Sequence, residues 1–208
     1  MRARCNVRVV NEASKTESAP PPAPGEEQYS SLALANSSTA LPGGHVADLL
    51  ATPAGANQWL AERGLAPAGI GMRDLCATQL RALREHIRAL LASRTEGLPA
   101  LPAAVAAVND AMTRVPTVPL LQWDEKHGPY RAAPHPTTEF VDFALAALAA
   151  DAADLLTGPD AERLTACGSA PCNRYLLRHG RRHWCSTRCG DRARAARAYA
   201  RRTRPDTD

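Results

Sequence analysis

The chain has 208 residues, of which 45% are hydrophobic and only 4% aromatic, and its formal net charge is +4. That length allows one good core plus a small satellite module, and a core built from Ala, Leu and Val favours close-packed helices over a sheet. No run approaches the roughly 18 apolar residues of a membrane span, and no apolar region comes after Arg2, Arg4 and Arg8, so neither a spanning helix nor a secretory signal is expected.

The charge is unevenly spread. Lysine occurs only at Lys15 and Lys126, so the basic surface is almost all arginine, and most of the excess lies in the last forty or so residues. Such asymmetry points to a separate end that meets a polyanion. A cytoplasmic location with reduced thiols is the expectation.

Residues 1–27 are expected to be a disordered tail, with Pro20, Pro21, Pro22 and Pro24 crowded together and Cys5 a free thiol. A globular part then begins near Tyr29. A helix over 53–63 is signalled by Thr52 as cap, Pro53 in the first turn and Gly64 beyond the end, with Trp59 and Leu60 facing the core. The next helix spans 73–93. Cys76, Leu80, Leu83, Ile87, Leu90 and Leu91 form one stripe at spacings of three and four, while Arg81, Arg84, Glu85 and Arg88 fall largely outside it. Cys76 is therefore expected to be a buried thiol and His86 a surface residue.

A shorter helix over 101–112 uses Val105, Val108 and Met112. Leu120 to Trp123 and Tyr130–Arg131 flank Lys126-His127-Gly128, the pattern of a small β-hairpin. From Thr137 or Thr138 a strong helix runs to about Leu156, with Val141, Leu145, Leu148, Ala152 and Leu155 on one face and Gly158 as its stop. A short helical segment over 160–165 leads to the cysteines. The helical domain is expected to fold without the C-terminal module.

Four cysteines close the chain as C-x4-C-x12-C-x3-C: Cys167, Cys172, Cys185 and Cys189. Two short-spaced pairs a dozen residues apart suit four thiolates around one tetrahedral zinc. Two disulfides, unrelated buried thiols or an iron–sulfur cluster are the alternatives. The second pair starts a helix. Its metal-facing side continues through Arg192, Ala196 and Tyr199, so Trp184 and Tyr199 are expected to pack beside the metal. Arg194, Arg197, Arg201 and Arg204 lie opposite. Arg174, Arg178, Arg181, Arg182 and Arg188 extend the field, and the only acid between Cys167 and Pro205 is Asp191. A field of one sign repels itself unless a polyanion binds it. The candidate nucleic-acid-binding residues are Arg181, Arg182, Arg188, Arg192, Arg194, Arg197, Arg201 and Arg202.

His-Trp-Cys-Ser-Thr-Arg-Cys-Gly-Asp-Arg and the basic helix after it resemble the CGNR zinc finger. In a bacterial family of stress-induced transcription regulators, that module comes after a helical domain called ABATE. Ser31 to Ser37 resembles the opening of that domain, and Leu83 to Arg88 resembles a segment within it. Asp191 stands where the family has Asn, and Tyr175 to His179 lacks the Asp and Ser usual between the cysteine pairs. The resemblance implies DNA as partner, with a small-molecule effector or a homodimer acting through the helical domain.

The expectation is thus a mainly α chain. Residues 28–160 form a helical domain with a small hairpin, and 161–208 form a zinc-binding module with a knuckle and a basic helix. The cofactor is one structural zinc and the partner duplex DNA; RNA, or the acidic surface of a partner protein, are the rivals. The motifs of common hydrolases, zinc deaminases and phosphate-binding loops are absent, and four thiolates leave zinc no open position, so no enzyme is expected.

Overall fold

The structure, a computed structural model, describes residues 8–9, 21–115, 120–132, 140–180 and 182–202. Cys5, Arg181, Arg204 and the start of the helix expected from Thr137 or Thr138 lie outside them. Six α-helices carry the described part: α1 Ser30–Ala35, α2 Pro53–Glu62, α3 Asp74–Glu96, α4 Pro102–Met112, α5 Phe140–Thr157 and α6 Thr187–Arg202. The strands are short and pair only as antiparallel twos. β1 (Arg8–Val9) pairs with β4 (Ile70–Gly71), and β2 (Ser38–Ala40) with β3 (Val46–Asp48). β5 (Leu120–Asp124) pairs with β6 (Gly128–Ala132), and β7 (Leu164–Ala166) with β8 (Tyr175–Leu177). No helix is long and apolar enough to cross a membrane among the described residues.

α5 is apolar nearly all round, and Val141, Ala144, Leu145, Leu148, Ala149, Ala152 and Leu155 are all buried. A helix of that kind must be covered on several sides, and α1, α3 and α4 cover it. α3 buries its stripe as expected, from Cys76 through Leu80, Leu83 and Ile87 to Leu91, and Gly97 closes it in the left-handed conformation. α2 starts where Thr52 Oγ1 accepts from the Gly55 amide. A Cβ at Gly55 would stand 2.7 Å from the Leu49 carbonyl, so glycine is needed there.

Several expectations are corrected. Arg84 is not outside the stripe: it is 5% exposed and held bidentate by Asp48, with Nη1–Oδ1 at 2.7 Å and Nη2–Oδ2 at 3.0 Å. Burial pushes the Asp48 carboxyl up, but hydrogen bonds from Arg84 and the Leu50 amide outweigh it and hold Asp48 below its ordinary range. Cys76 is buried but disulfide-bonded rather than a free thiol. On α4 the buried set is Ala104, Val108 and Ala111, whereas Val105 is 40% exposed, because α4 turns its alanine side to α3 and α5. The segment after Gly158 is a 3-10 turn over Pro159–Glu162, and its last residues enter β7 instead of a helix. The β5–β6 hairpin forms as expected and leaves Leu121 and Trp123 exposed.

Residues 21–27, placed in the disordered tail by composition, fold back onto the C-terminal module. Ala23 is 1% exposed, and the Leu177 amide donates to the Pro24 carbonyl at 2.8 Å. The module in turn shares the main core. Leu164, Tyr175 and Leu177 pack among the buried residues of α1, α3 and α5, while Leu176, pointing to the other face of β8, joins a second cluster with Ala23, Cys167, Cys185 and Cys189. A boundary near residue 160 therefore lies within one continuous apolar cluster.

Candidate metal centre and arginine face

Each cysteine is presented by a different local device. Cys167 ends the β7 side of the hairpin, and its amide donates to the Arg174 carbonyl at 2.8 Å. Cys172 sits in the turn after it, its amide on the Ser169 carbonyl at 2.9 Å. Cys185 precedes α6, and Cys189 lies in the first turn of α6. Ser186 caps that helix: its Oγ accepts from the Cys189 amide at 3.2 Å.

The four Sγ atoms all lie within 4.8 Å of one another, with Cys172–Cys185 at 3.6 Å and Cys185–Cys189 at 3.5 Å. A tetrahedron of zinc–sulfur bonds has edges of roughly 3.8 Å. The thiols are free rather than paired, so the disulfide reading of these four fails and the donor set fits one zinc. Before a cation arrives the cluster divides its protons unequally. Donation from the Cys172 and Cys185 thiols and the Cys185 amide pushes Cys167 down to about 2. The same bonds, seen from the donors, push Cys172 up to about 11 and Cys185 higher still. A divalent ion would turn all four into thiolates and would close its sphere with them.

Two arginines of the supposed outward field turn in. Arg192 donates from Nη2 to Cys189 Sγ at 3.2 Å and to the Ser169 carbonyl at 3.2 Å, and from Nε to Ser169 Oγ at 3.1 Å. It lies on the metal side, as helical geometry requires. Arg174 is 3% exposed, ion-paired to Glu26 at 2.6 Å, with Nη1 4.0 Å from Cys185 Sγ. Burial pulls its pKa down, but Glu26 and the thiols outweigh that and hold it above its ordinary value. Nothing near Arg174 in sequence shows this; its partner is far back in the proline-rich segment. The one local signal is Tyr175-Leu176-Leu177, three apolar residues in a row, which is how a strand buried on both faces reads.

The remaining candidates stay outside. Arg182, Arg188, Arg194, Arg197, Arg201 and Arg202 are all exposed, and Arg181 lies outside the described residues. Arg194 and Arg197 do not point squarely away from the cysteines. They lean over the Trp184 ring, at 5.7 and 5.5 Å from its centre, and Arg194 also pairs with Asp191. Trp184 lies against Gly190, where a Cβ would meet the ring at 3.3 Å and the Arg194 guanidinium at 3.4 Å. The glycine of the Cys-Gly-Asp-Arg turn thus makes room for the tryptophan. Tyr199, expected beside the metal, is 71% exposed, because α6 runs on past the end of its module. A groove of about 420 Å³ opens between the start of α6 and the knuckle, lined by Ser169, His183, Trp184, Arg192, Ala196 and Arg197.

A helical body carrying a closed four-cysteine centre and a protruding arginine helix defines a small structural-zinc protein. The chain belongs to the ABATE family, described as "Putative stress-induced transcription regulator", whose model matches residues 30–159; the CGNR zinc finger model matches 163–202. It holds one structural zinc in that finger. Among curated proteins no sequence matches it. The family segments resembled at the sequence level acquire roles in the fold. Asn36 brackets Tyr175, accepting from its amide and donating to its carbonyl, both at 2.8 Å, and Arg88 donates to the carbonyls of Ala35 and Asn173. ABATE residues therefore hold the finger in place.

Proposed function

We propose that the chain is a DNA-binding transcriptional regulator in which zinc fixes the root of α6 and the exposed arginines of α6 and its approach grip phosphates. The observation that carries this reading is the make-up of α6. From Arg188 to Arg202 it presents Arg188, Arg194, Arg197, Arg201 and Arg202 to solvent, against Asp191 as the only acid of the helix. Such a face favours a polyanion, and guanidinium groups suit both phosphates and base edges. Two of the arginines rest on Trp184, which limits their freedom before a ligand arrives. Arg192 serves the metal centre and is not counted among the phosphate contacts. The family description supports giving regulation, through an effector or a second copy, to the helical body. A closed thiolate sphere gives no place for an activated water, which supports a structural and not a catalytic zinc.

The test is a salt series. Changing Arg194, Arg197 and Arg201 together to Ala should flatten the salt dependence of duplex binding by up to about three units of log–log slope, at constant zinc content. An unchanged slope would remove α6 as the phosphate-binding face. Structured RNA competing better than duplex DNA at the same salt would transfer the reading to RNA, and binding without salt dependence would transfer it to a protein partner.

A further inference from the structure

Arg174 joins three parts of the molecule that are distant in sequence. Its guanidinium donates to Glu26 Oε1 at 2.6 Å and to the Pro21 carbonyl at 2.9 Å, and it stands 4.0 Å from Cys185 Sγ. Glu26 Oε1 also accepts from Asn36 Nδ2 at 2.7 Å, and Asn36 is the residue that brackets Tyr175. On the other side of the segment Ala23 is buried against Leu176 and the cysteines themselves. Gly25 crosses so near Leu177 that a Cβ would come within 2.6 Å of its Cγ. The segment therefore rests on the metal cluster and is pinned by a charge that the metal cluster also holds.

The second cluster is small: beside Leu176 and the half-buried Trp184 it holds only Ala23 and the cysteines, too little apolar area to keep that floor closed without a metal, whereas the main core, built on many leucines, has no such need. With zinc bound, four thiolates and a divalent ion leave two net negative charges, and the buried Arg174 is favoured beside them. When zinc leaves, the bonds that tie the four sulfurs together are lost and the floor under Ala23 loosens.

We propose that residues 21–28 form a zinc-dependent strap, locked through Arg174, that transmits occupancy of the cysteine site to Asn36 at the end of α1. The strap is a reporter of the metal, and it works whatever α6 binds. Losing zinc should free it before the helical body opens, since α3 and α5 are held by the main core.

Hydrogen exchange on the full chain tests this. In the zinc-loaded protein the amides of Glu26, Gln28 and Tyr29, which bond within the segment, should be protected. Removing zinc with a chelator should cut that protection at least about tenfold and leave α3 and α5 amides unchanged, and adding zinc back should restore it. Glu26→Gln keeps Arg174 beside the thiolates but removes the ion pair, so the strap should exchange faster with one zinc still bound per chain. Equal protection of 21–29 with and without zinc would overturn the proposal. So would wild-type protection in Glu26→Gln, or loss of α3 and α5 protection together with the strap.

Discussion

Cys172 and Cys185 hold their protons in the free cluster because each donates to the Cys167 thiolate. Zinc needs all four sulfurs as thiolates, so binding must expel the protons that these thiols hold. Both thiols have pKa values raised above the ordinary one, and the thiolate is the binding form; affinity must therefore increase as pH rises. Each proton displaced contributes about tenfold in affinity per pH unit, so affinity should climb by more than about tenfold per unit while both raised thiols stay protonated. Competition with a chelator of known proton affinity at pH 6, 7 and 8 measures this. A gain of less than about tenfold per unit would mean that fewer thiols carry protons than the geometry requires. The four ligands were legible from spacing alone, since two short pairs leave little choice. Arg192 was legible too, from the angle it makes with Cys189 on a helix. Arg174 and Arg84 were not: each is a charged residue made buriable by a carboxylate, Glu26 or Asp48, far away along the chain. Periodicity places charges outside, and only the fold reveals a partner.

At the scale of elements, α2, α3 and α5 were readable because their apolar residues recur at helical spacing, and Thr52, Gly64 and Gly158 mark ends of α2 and α5; α3 runs on to Glu96, past the expected end at residue 93. β7 and β8 were missed because strands of three residues have no period to detect. Their consequence is large. β8 divides its side chains between two clusters, Tyr175 and Leu177 to the main core and Leu176 to the metal. A chain ended at Gly158 would lose Leu164, Tyr175 and Leu177 from that core and leave Asn36 without its backbone partner. Burial of one such side chain contributes about 1.5–3 kcal/mol. The truncated chain should melt at least about 10 °C lower than the whole protein or aggregate, as monitored by far-ultraviolet circular dichroism. An unchanged melting temperature would show that the helices hold without the hairpin. Tyr199 teaches the opposite lesson: helical geometry put it on the correct face, but the face continues after its module has ended.

Over the whole molecule, the family models divide the chain at about residue 160, while the packing does not. The ABATE part supplies Asn36, Arg84 and Arg88; the finger supplies β7, β8 and the cysteines; residues 21–28 close over the joint. Charge is segregated on the same plan, with the paired arginines Arg84 and Arg174 inside and the exposed ones on α6. In the proposed function, zinc is the condition for presenting that helix at a fixed angle from the body. Duplex affinity at fixed salt, measured as zinc is withdrawn by chelation and then restored, tests this most directly. The account predicts a fall of at least about a hundredfold on withdrawal and full recovery with one zinc per chain. Affinity that persists at its original value in the zinc-free protein would contradict it.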